Sequence, residues 1–413
     1  MNRPSLADQV LVEDPRFYDD RQFGVYDRMR AEAPAYYYEP LDVFLLTRMD
    51  DVHYVSTHPG QFSNASGLTL NQLRMAREGA TSAFERFNEP EGELVITKDP
   101  PRQRALRTLM SQNLTPRRLS GFSDALGGFC RKLLDQAAGE VDEGNPVDFM
   151  DSIAASLPLY VAAALLGVDT VDIPRMKTWV TALEDLTRIT SAAELEEPGQ
   201  RFDELKSFLR DQLARKRREP GSDMMSSFLA STLDDAAVPD PVVLAHVSTL
   251  MSNGGTTRLL LGSIASLLAE HPSQMKLIKD DPGLLDGIIE ESLRLMPPAR
   301  GFVRTATTDV LLAGSRINAG QRVYMLYPAA NRDPGHFADP ESFDPARPQS
   351  YGHASFGFGT HFCLGAGLAR LEAKALFGEL ASRYSSIRLA GDPVRYEHVQ
   401  LNGWAALPVT FHR

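Results

Sequence analysis

The longest apolar stretch of this sequence, from Val242 to Glu270, places the strongest limit on what the chain can fold into. A helix over this stretch has about 29 residues and so a length of roughly 44 Å at the usual rise per residue. It is mostly apolar, and such a helix is stable in water only when other elements cover it. We therefore expect it to run through the centre of the molecule. Two adjacent glycines, Gly254 and Gly255, interrupt it at a cost of about 2 kcal/mol.

The remainder of the sequence predicts helices in the middle and short strands towards the ends. Apolar residues recur at helical spacing in three further segments, 123–138, 151–166 and 201–218. Strand signals are found at residues 36–38, 43–46, 309–312, 322–327 and 407–411, the first two forming a hairpin. The predicted fold class is mainly α with a small β-sheet region, in a single domain over residues 1–413. Its helix-rich core spans about 100–300 and 350–390, and its β-rich part about 35–60, 300–330 and 385–413.

Charge and cysteine content argue against several classes of protein. The 413 residues carry a net charge of −11, whereas nucleic-acid binding requires a basic face. The two cysteines, Cys130 and Cys363, are far apart and fit a reducing compartment without a disulfide framework. No apolar run approaches the ~20 residues needed to cross a bilayer, and the polar, acidic start is typical of neither a signal peptide nor an anchor. We expect a cytoplasmic protein that binds neither nucleic acid nor membrane.

The segment 356–372 surrounds Cys363 with glycines and leads into an amphipathic helix. Glycine is placed where the backbone adopts unusual dihedral angles or approaches something bulky. A thiolate just before a helix receives backbone N–H groups and the positive end of the helix dipole, which lower its pKa. This is the environment that a metal-bound thiolate needs. Taken alone, an isolated cysteine is more often a small buried hydrophobic residue.

The spacing F-G-x-G-x-H-x-C-x-G, which begins at Phe356, resembles the haem-binding loop of the cytochrome P-450 superfamily. The resemblance implies the cytochrome P-450 fold, in which haem b lies between a long distal helix and this proximal loop. It implies that Cys363 donates its thiolate to the haem iron and increases the electron density there. By the same resemblance, His361 contacts a haem propionate and Phe356 packs against the proximal side of the haem.

Three residues that precede this loop in the chain fit a structural role in the same family. Glu291 and Arg294 lie at i, i+3 spacing and so share one helix face. Taken alone, such a pair is an ordinary surface ion pair. The family pairs these positions with an arginine at the position of Arg347, and the resemblance implies that all three stabilise the fold.

Other positions match the family's propionate ligands. Arg304, Arg107 and Gln103 stand at such positions, although many relatives carry histidine where this chain has Gln103. Two buried propionates require cationic partners and hydrogen-bond donors. The resemblance therefore implies that Arg107, Arg304 and His361 supply most of them.

The chain departs from the family on the distal helix. Most relatives carry an acid–alcohol pair there that relays protons. In this chain Thr256 keeps the alcohol, Gly255 stands where the acid is expected, and Asn253 replaces the usual glycine. Proton delivery needs a positioned titratable group or a water chain. Three alternatives remain open: a water chain along the glycines, delivery organised by Asn253 or the substrate, and an unusual reaction.

The resemblance places substrate contacts in the loop 62–95, near Trp179, at 251–256 on the distal helix, at 299–302 and near 399–400. The individual residues it indicates are Met251, Ala299, Arg300, Phe302 and Val399. Arg300 either holds a substrate carboxylate or phenolate, or is an ordinary solvated arginine. An apolar pocket with few polar anchors suits a medium-sized lipophilic molecule such as a terpenoid, a polyketide or an aromatic compound, typical of secondary metabolism.

The chain ends soon after the cysteine loop, so we expect no fused reductase domain. Electrons from NAD(P)H then arrive through a separate ferredoxin and ferredoxin reductase. Arg104, Arg107, Arg117 and Arg118 are candidates for a basic patch that docks an acidic ferredoxin, although scattered surface arginines are an equal alternative. The protein is predicted to be a monomer.

The leading hypothesis is a haem-thiolate monooxygenase that inserts one oxygen atom from O2 into its substrate by hydroxylation or epoxidation. The first alternative keeps this fold but uses peroxide-driven oxidation, coupling or desaturation, because Gly255 replaces the distal acid. The second alternative is a haem-binding protein without catalytic activity.

Overall fold

The computed structural model describes residues 4–78, 93–141, 145–185, 187–188, 194–348 and 352–413, without the side chains of residues 138–141 and 253. Helices in these ranges are α1 Arg21–Glu32, α2 Met49–Thr57, α3 Leu70–Arg77, α4 Arg102–Ser111, α5 Pro116–Ser120, α6 Ser123–Val141, α7 Ser156–Leu166, α8 Ile173–Asp185, α9 Glu196–Arg218, α10 Met224–Leu229, α11 Asp240–Glu270, α12 Ser273–Asp280, α13 Leu284–Leu295, α14 Tyr327–Ala330 and α15 Ala366–Arg383. The strands are β1 Ala35–Tyr38, β2 Val43–Leu46, β3 Phe62–Ser63, β4 Val147–Asp148, β5 Thr232–Leu233, β6 Ala236–Ala237, β7 Gly301–Ala306, β8 Val310–Leu312, β9 Ser315–Ile317, β10 Arg322–Leu326, β11 Ser386–Leu389, β12 Val394–Arg395, β13 Trp404–Ala406 and β14 Pro408–His412.

The long apolar segment forms α11, which confirms the predicted central helix. It packs against α7, α8, α13 and β11. The consecutive residues Leu259, Leu260 and Leu261 point in different directions around the helix, and each is at most 1% exposed. The helix is therefore covered on all sides in its second half. Neither α11 nor any other helix in the described ranges is both long and apolar enough to cross a membrane.

The other predicted helices are present with changed bounds. α6 continues three residues beyond its predicted end, and α9 begins five residues before its predicted start. The segment 151–166 is divided into a π-helical turn over Met150–Ala154 and the helix α7. β10 ends at Leu326 rather than Tyr327, because Tyr327 begins α14 and Pro328 favours the first turn of a helix.

A five-stranded sheet in the order β1-β2-β10-β7-β3 joins the two ends of the chain. β1 and β2 form the predicted antiparallel hairpin, and β2 pairs with β10 in parallel. β7 was not predicted as a strand; it pairs with β10 and carries Phe302 and Arg304. The expectation that strands occur only near the ends was wrong, since β4 belongs to a second sheet, β11-β14-β4, and β5 pairs with β6. Each of these three strands is only two residues long, too short to produce a recognisable alternation.

A buried cluster of charges fastens α13 to the segment that precedes the cysteine loop. Arg294 donates to both carboxylate oxygens of Glu291, at 2.7 and 2.8 Å, and the Arg347 Nε donates to Oε1 at 3.0 Å. The Asp344 backbone N–H donates to Oε2 at 3.1 Å. Arg294 also donates to the Asn331 carbonyl, and the Asn331 side-chain oxygen accepts from the Ala354 N–H. The three residues therefore help to position the chain that enters the cysteine loop.

Candidate active site

The cysteine loop lies between a 3₁₀ turn at Ala354–Phe356 and the start of α15. Gly359 has a φ of +65°, and a Cβ there would lie 2.5 Å from the backbone oxygen of Ser56 on α2. Only glycine permits both this conformation and this close approach. The Cys363 N–H donates to the Phe356 carbonyl at 2.8 Å. The loop is thereby closed, with the cysteine just before the N-terminus of α15.

The Cys363 sulfur is surrounded by groups that favour a thiolate, in an environment that is otherwise apolar. Burial raises the pKa of the Cys363 thiol, whereas backbone N–H groups of Gly365 and Ala366 and the Arg107 guanidinium act in the opposite direction. A cation coordinated by the sulfur would favour the thiolate further. Without such a cation burial keeps the thiol protonated, so the thiolate is the stable form only when a metal is bound.

A cavity separates the cysteine loop from α11 and brings together most of the residues that the sequence indicated. Its lining includes Arg107, Thr256, Ala299, Phe302, Arg304, Phe356, His361 and Cys363. α4, α11, β7 and the cysteine loop all contribute to its lining. The residues named come from four separate stretches of the chain, and their convergence is a property of the fold.

Three basic side chains in this cavity lack a carboxylate partner. In the described part of the chain, no carboxylate lies within 4.0 Å of Arg107 or Arg304, and the Arg304 Nη1 donates only to the Val303 carbonyl. The Nε2 of His361 is buried without a hydrogen-bond partner. Burial lowers the pKa of both arginines, and burial together with the charge of Arg304 lowers the pKa of His361 to about 4. A group with two carboxylates, such as haem, would satisfy these side chains, so the residues present fit haem.

Gln103 is placed differently from the expectation. Its side chain is fully buried, and its Nε2 donates to the carbonyl of Thr360 at 2.7 Å. It is absent from the cavity lining. In the structure one N–H of the Gln103 amide therefore links α4 to the cysteine loop.

A second, apolar cavity adjoins the first on the other side of Thr256. Both cavities are lined by Ile96, Thr249, Thr256, Ala299 and Phe302, so they are contiguous. The second is completed mainly by apolar side chains, including Leu68, Leu94, Leu183, Leu244 and Leu401. Part of the loop 62–95 thus lines it, while residues 79–92 lie outside the described residues.

The remaining substrate residues indicated by the sequence do not line either cavity. Arg300 is buried; its guanidinium lies 4.1 Å from the centre of the Tyr18 ring and its Nε donates to the Leu401 carbonyl. Met251 and Val399 are also buried in the protein core. Ala299 and Phe302 do line the cavity, and so do Gln400 and Leu401, the two residues after Val399. Neighbours on a strand or helix face different ways, which explains these displacements by one position.

A carboxylate that the sequence did not indicate lies beside the distal helix α11. Glu184 of α8 is 7% exposed, and its carboxylate occupies the space beside Gly255. Burial raises the pKa of Glu184, while Arg258 and Tyr396 lower it. No local pattern around Glu184 distinguishes it from a surface glutamate, since its position depends on how α8 packs against α11. Asn253, by contrast, has a side chain outside the described residues.

Comparison with known families gives one match to a family model. The model is described as cytochrome P-450 and matches residues 264–398. Cytochrome P-450 107B1 of Saccharopolyspora erythraea is 32% identical over 407 residues, which are 97% of this chain and 97% of that protein. Erythromycin C-12 hydroxylase of the same organism is 36% identical over 328 residues, 78% of this chain and 81% of that protein.

Solved structures give the same result for the fold. A mutant of P-450 EryK in complex with erythromycin B superposes with a TM-score of 0.82. The two chains are 30% identical, and the match covers 100% of this chain and 98% of the other. The mainly helical fold with small sheets, predicted from the sequence, is therefore confirmed.

Proposed function

The chain belongs to the cytochrome P-450 superfamily and is a monooxygenase of that family, and from this premise we propose that it oxygenates a medium-sized lipophilic molecule. Haem held here would supply activation of O2: one oxygen atom enters the substrate by hydroxylation or epoxidation, and the other leaves as water with two electrons from the redox partner and two protons. The observation that carries the proposal is the cavity in which Cys363 faces three basic side chains without carboxylate partners.

The residues proposed to hold the haem fall into two groups. Cys363 would supply the thiolate that holds the haem iron, and Phe356 lines the same cavity. Arg107, Arg304 and His361 bind the two propionates through charge-assisted hydrogen bonds. In this arrangement Arg107 and Arg304 gain an anionic partner, and the neutral His361 gains an acceptor for a ring N–H.

The ligand assignment is tested by the spectrum of the reduced, CO-bound protein. Cys363→Ser should abolish the red-shifted Soret band, because a hydroxyl does not replace the thiolate. Cys130→Ser is the matched control; Cys130 is buried in α6, and burial raises the pKa of its thiol to about 12, so it is an inert thiol. A band that persisted in Cys363→Ser would contradict the assignment.

The substrate proposal is supported by the contiguous cavity, whose lining is mainly apolar. Its polar residues are Thr69, Glu184, Thr187, Lys206, Ser248, Thr249, Ser252, Thr256 and Gln400. Such a lining selects by shape and apolar contact, with a small number of orienting hydrogen bonds. A relative in the comparison is an erythromycin hydroxylase, and a solved structure contains erythromycin B. Spin-state titrations with erythromycin B, camphor and naphthalene test the polyketide, terpenoid and aromatic classes.

We propose that electrons come from NAD(P)H through a ferredoxin and its reductase. Arg104, Arg117 and Arg118 are exposed. The α5 helix, which carries Arg117 and Arg118, packs against α15, next to the cysteine loop. These charges can attract an acidic ferredoxin despite the negative net charge. Product formed with ferredoxin, reductase and NADPH is compared with product formed with hydrogen peroxide alone.

Peroxide-driven oxidation is the second candidate, and the lack of a side chain at Gly255 is the observation that favours it. Full-rate turnover with peroxide and none with NADPH would support it and contradict the leading proposal. The Glu184 carboxylate, which occupies the space beside Gly255, weighs against it.

A further inference from the structure

The space beside Gly255 contains a carboxylate from another helix. A Cβ on Gly255 would overlap the Glu184 Oε1 and lie 3.0 Å from the Glu184 carboxyl carbon. An acidic side chain at position 255 and Glu184 in this position therefore exclude each other. The glycine on α11 is what allows α8 to place its carboxylate there.

Glu184 is held in this position by two donors from different elements. The Arg258 Nη2, three residues further along α11, lies 3.0 Å from Oε2 and 3.4 Å from Oε1. The Tyr396 hydroxyl donates to Oε2 at 2.7 Å. A buried carboxylate with such partners keeps a defined geometry, because releasing it would leave buried charges unpaired.

Glu184 lies in the wall between two spaces. On one side it lines the apolar cavity together with Ser252 and Thr256. On the other side it lines an outer cleft together with Gly254, Gly255 and Arg258. That cleft is also lined by exposed residues, Asp151, Lys177, Thr181 and Ala405, so it reaches the surface. A titratable group in this wall can exchange protons with both sides.

We propose that Glu184 is the proton-relay carboxylate of the distal side, supplied by α8 where α11 has Gly255. This inference rests on the proposed monooxygenase function. Water in the outer cleft transfers a proton to the carboxylate, and the resulting carboxyl group passes a proton to the Thr256 hydroxyl or to water beside it. The carboxylate is restored, so the relay moves protons and leaves every electron count unchanged. Glu184 positions a proton for Thr256 and does not itself act on the substrate.

The surroundings of Glu184 support a group that takes up protons more readily than an exposed glutamate. The titratable and charged groups near it are Asp185 and Lys177 of α8, Arg258 of α11, Lys206 of α9, Arg188 after α8, and Tyr396 and His398 of the segment between β12 and β13. Burial is the largest influence and raises the pKa of Glu184. Burial also lowers the pKa of His398 to about 4 and raises the pKa of Tyr396, so both are neutral near pH 7.

The first test compares Glu184→Gln with Asp185→Asn in the haem-loaded enzyme. Asp185 is the adjacent carboxylate, pairs with Arg188 and lines neither cavity, so it controls for the loss of a charge on α8. The probe is whichever of erythromycin B, camphor and naphthalene gives the largest spin shift. We expect roughly ten-fold or greater loss of kcat in Glu184→Gln, because positioned acid–base groups typically contribute about 10²- to 10⁴-fold. We expect a larger share of the electrons from NADPH to form hydrogen peroxide instead of product. The spin-shift Kd should be unchanged.

The second test moves the carboxylate back to α11. Glu184→Ala removes the side chain that blocks position 255, and Gly255→Asp then adds a carboxylate there. The double variant should recover kcat and coupling relative to Glu184→Ala alone. If it does not, a carboxylate at this place is not what Glu184→Ala lacks, and the relay is contradicted.

The third readout is independent of turnover. Infrared difference spectra of the ferric protein, recorded across pH, should show the C=O stretch of a buried protonated carboxyl that disappears in Glu184→Gln and titrates above the range of exposed glutamates. If Glu184→Gln is not stably folded, this titration in the wild type and the rescue variant decide the question.

The outcomes separate the relay from the underlying function. A wild type without the red-shifted CO band or NADPH-driven turnover would refute the proposed function. A wild type that turns over, beside a Glu184→Gln variant with the same kcat and coupling, would refute only the relay. A changed spin-shift Kd at constant kcat would assign Glu184 to substrate binding and also refute it.

Discussion

At the scale of single residues, Glu184 and Glu372 show how burial and partners together decide what a carboxylate does. Both are glutamates with buried side chains. Glu184 has Arg258 and Tyr396 as partners, whereas Oε2 of Glu372 has no hydrogen-bond partner among the described residues. Without a cation beside it, burial raises the pKa of Glu372 to about 8. A buried carboxyl group of this kind is neutral near pH 7.

Glu372→Gln should make the protein less sensitive to alkaline pH. The folded-state pKa of Glu372 is raised from 4.5 to about 8, so the folded state binds more protons than the unfolded state between these values. Stability from this group is present below pH 4.5 and decreases as pH rises towards 8, by about 1 kcal/mol per pH unit. Glutamine keeps the shape and cannot ionise, so this slope should be absent.

The measurement is urea denaturation monitored by circular dichroism, at about one-unit steps of pH from 5 to 8. The difference between Glu372→Gln and the wild type should shift in favour of the variant as pH rises. A constant difference across this range would show that Glu372 is ionised throughout or has an unidentified partner.

At the scale of elements, the buried charge cluster connects α13 to the segment that leads into the cysteine loop. Glu291 accepts hydrogen bonds from two arginines, both of which are at most 8% exposed. Asn331 continues the connection, since it accepts from the Ala354 N–H and donates to the Ser355 hydroxyl. The geometry of the cysteine loop therefore depends on an element far from it in sequence.

Glu291→Gln should destabilise the protein strongly and reduce haem retention. It leaves Arg294 and Arg347 buried without a counter-charge, and breaking a buried pair in this way costs about 3–5 kcal/mol. Urea denaturation and the ratio of Soret to protein absorbance measure the two effects. Asp286→Asn is the matched control on the same helix, since its pair with Lys374 is half-exposed and contributes about 0–1 kcal/mol. Equal effects of the two variants would contradict the proposed role.

At the scale of the whole molecule, the net charge of −11 conceals a local basic face. Exposed Arg117 and Arg118 lie on α5, which packs against the helix that follows Cys363. Charges spread over the rest of the surface act weakly at this face, because salt screens them beyond roughly 8–10 Å. We therefore expect docking of the proposed ferredoxin to depend on these local charges.

The double variant Arg117→Glu/Arg118→Glu should raise the KM for ferredoxin about ten-fold or more at low salt, because electrostatic attraction mainly increases the association rate. The increase should be smaller at high salt, which screens these charges. Steady-state NADPH oxidation at several salt concentrations measures this, and the substrate spin shift should be unchanged. The double variant Arg210→Glu/Arg218→Glu, at exposed positions of α9, which packs against α8 on the distal side, is the charge-matched control. If both variants raise KM equally, the basic face does not dock the partner.

Much of the fold and part of the candidate site could be predicted from the sequence, because their signals are local. The length and apolarity of α11 predicted a buried helix, and the glycine spacing around Cys363 indicated a haem-thiolate loop. Arg107, Arg304 and His361 were indicated only by resemblance, and the structure brings them to one cavity. β7 and the placement of Arg300 were missed, because each depends on contacts with strands or rings distant in the sequence.

The sequence by itself determined that α11 must be buried, that a lone cysteine lies in a glycine-rich loop before a helix, and that position 255 has no acid. Only the tertiary structure decided what occupies that position. A glycine specifies a space but not its contents, and the contents depend on how α8, some 70 residues earlier in the chain, packs against α11. The side chain beside Gly255 is that of Glu184, so α8 supplies the carboxylate that α11 lacks.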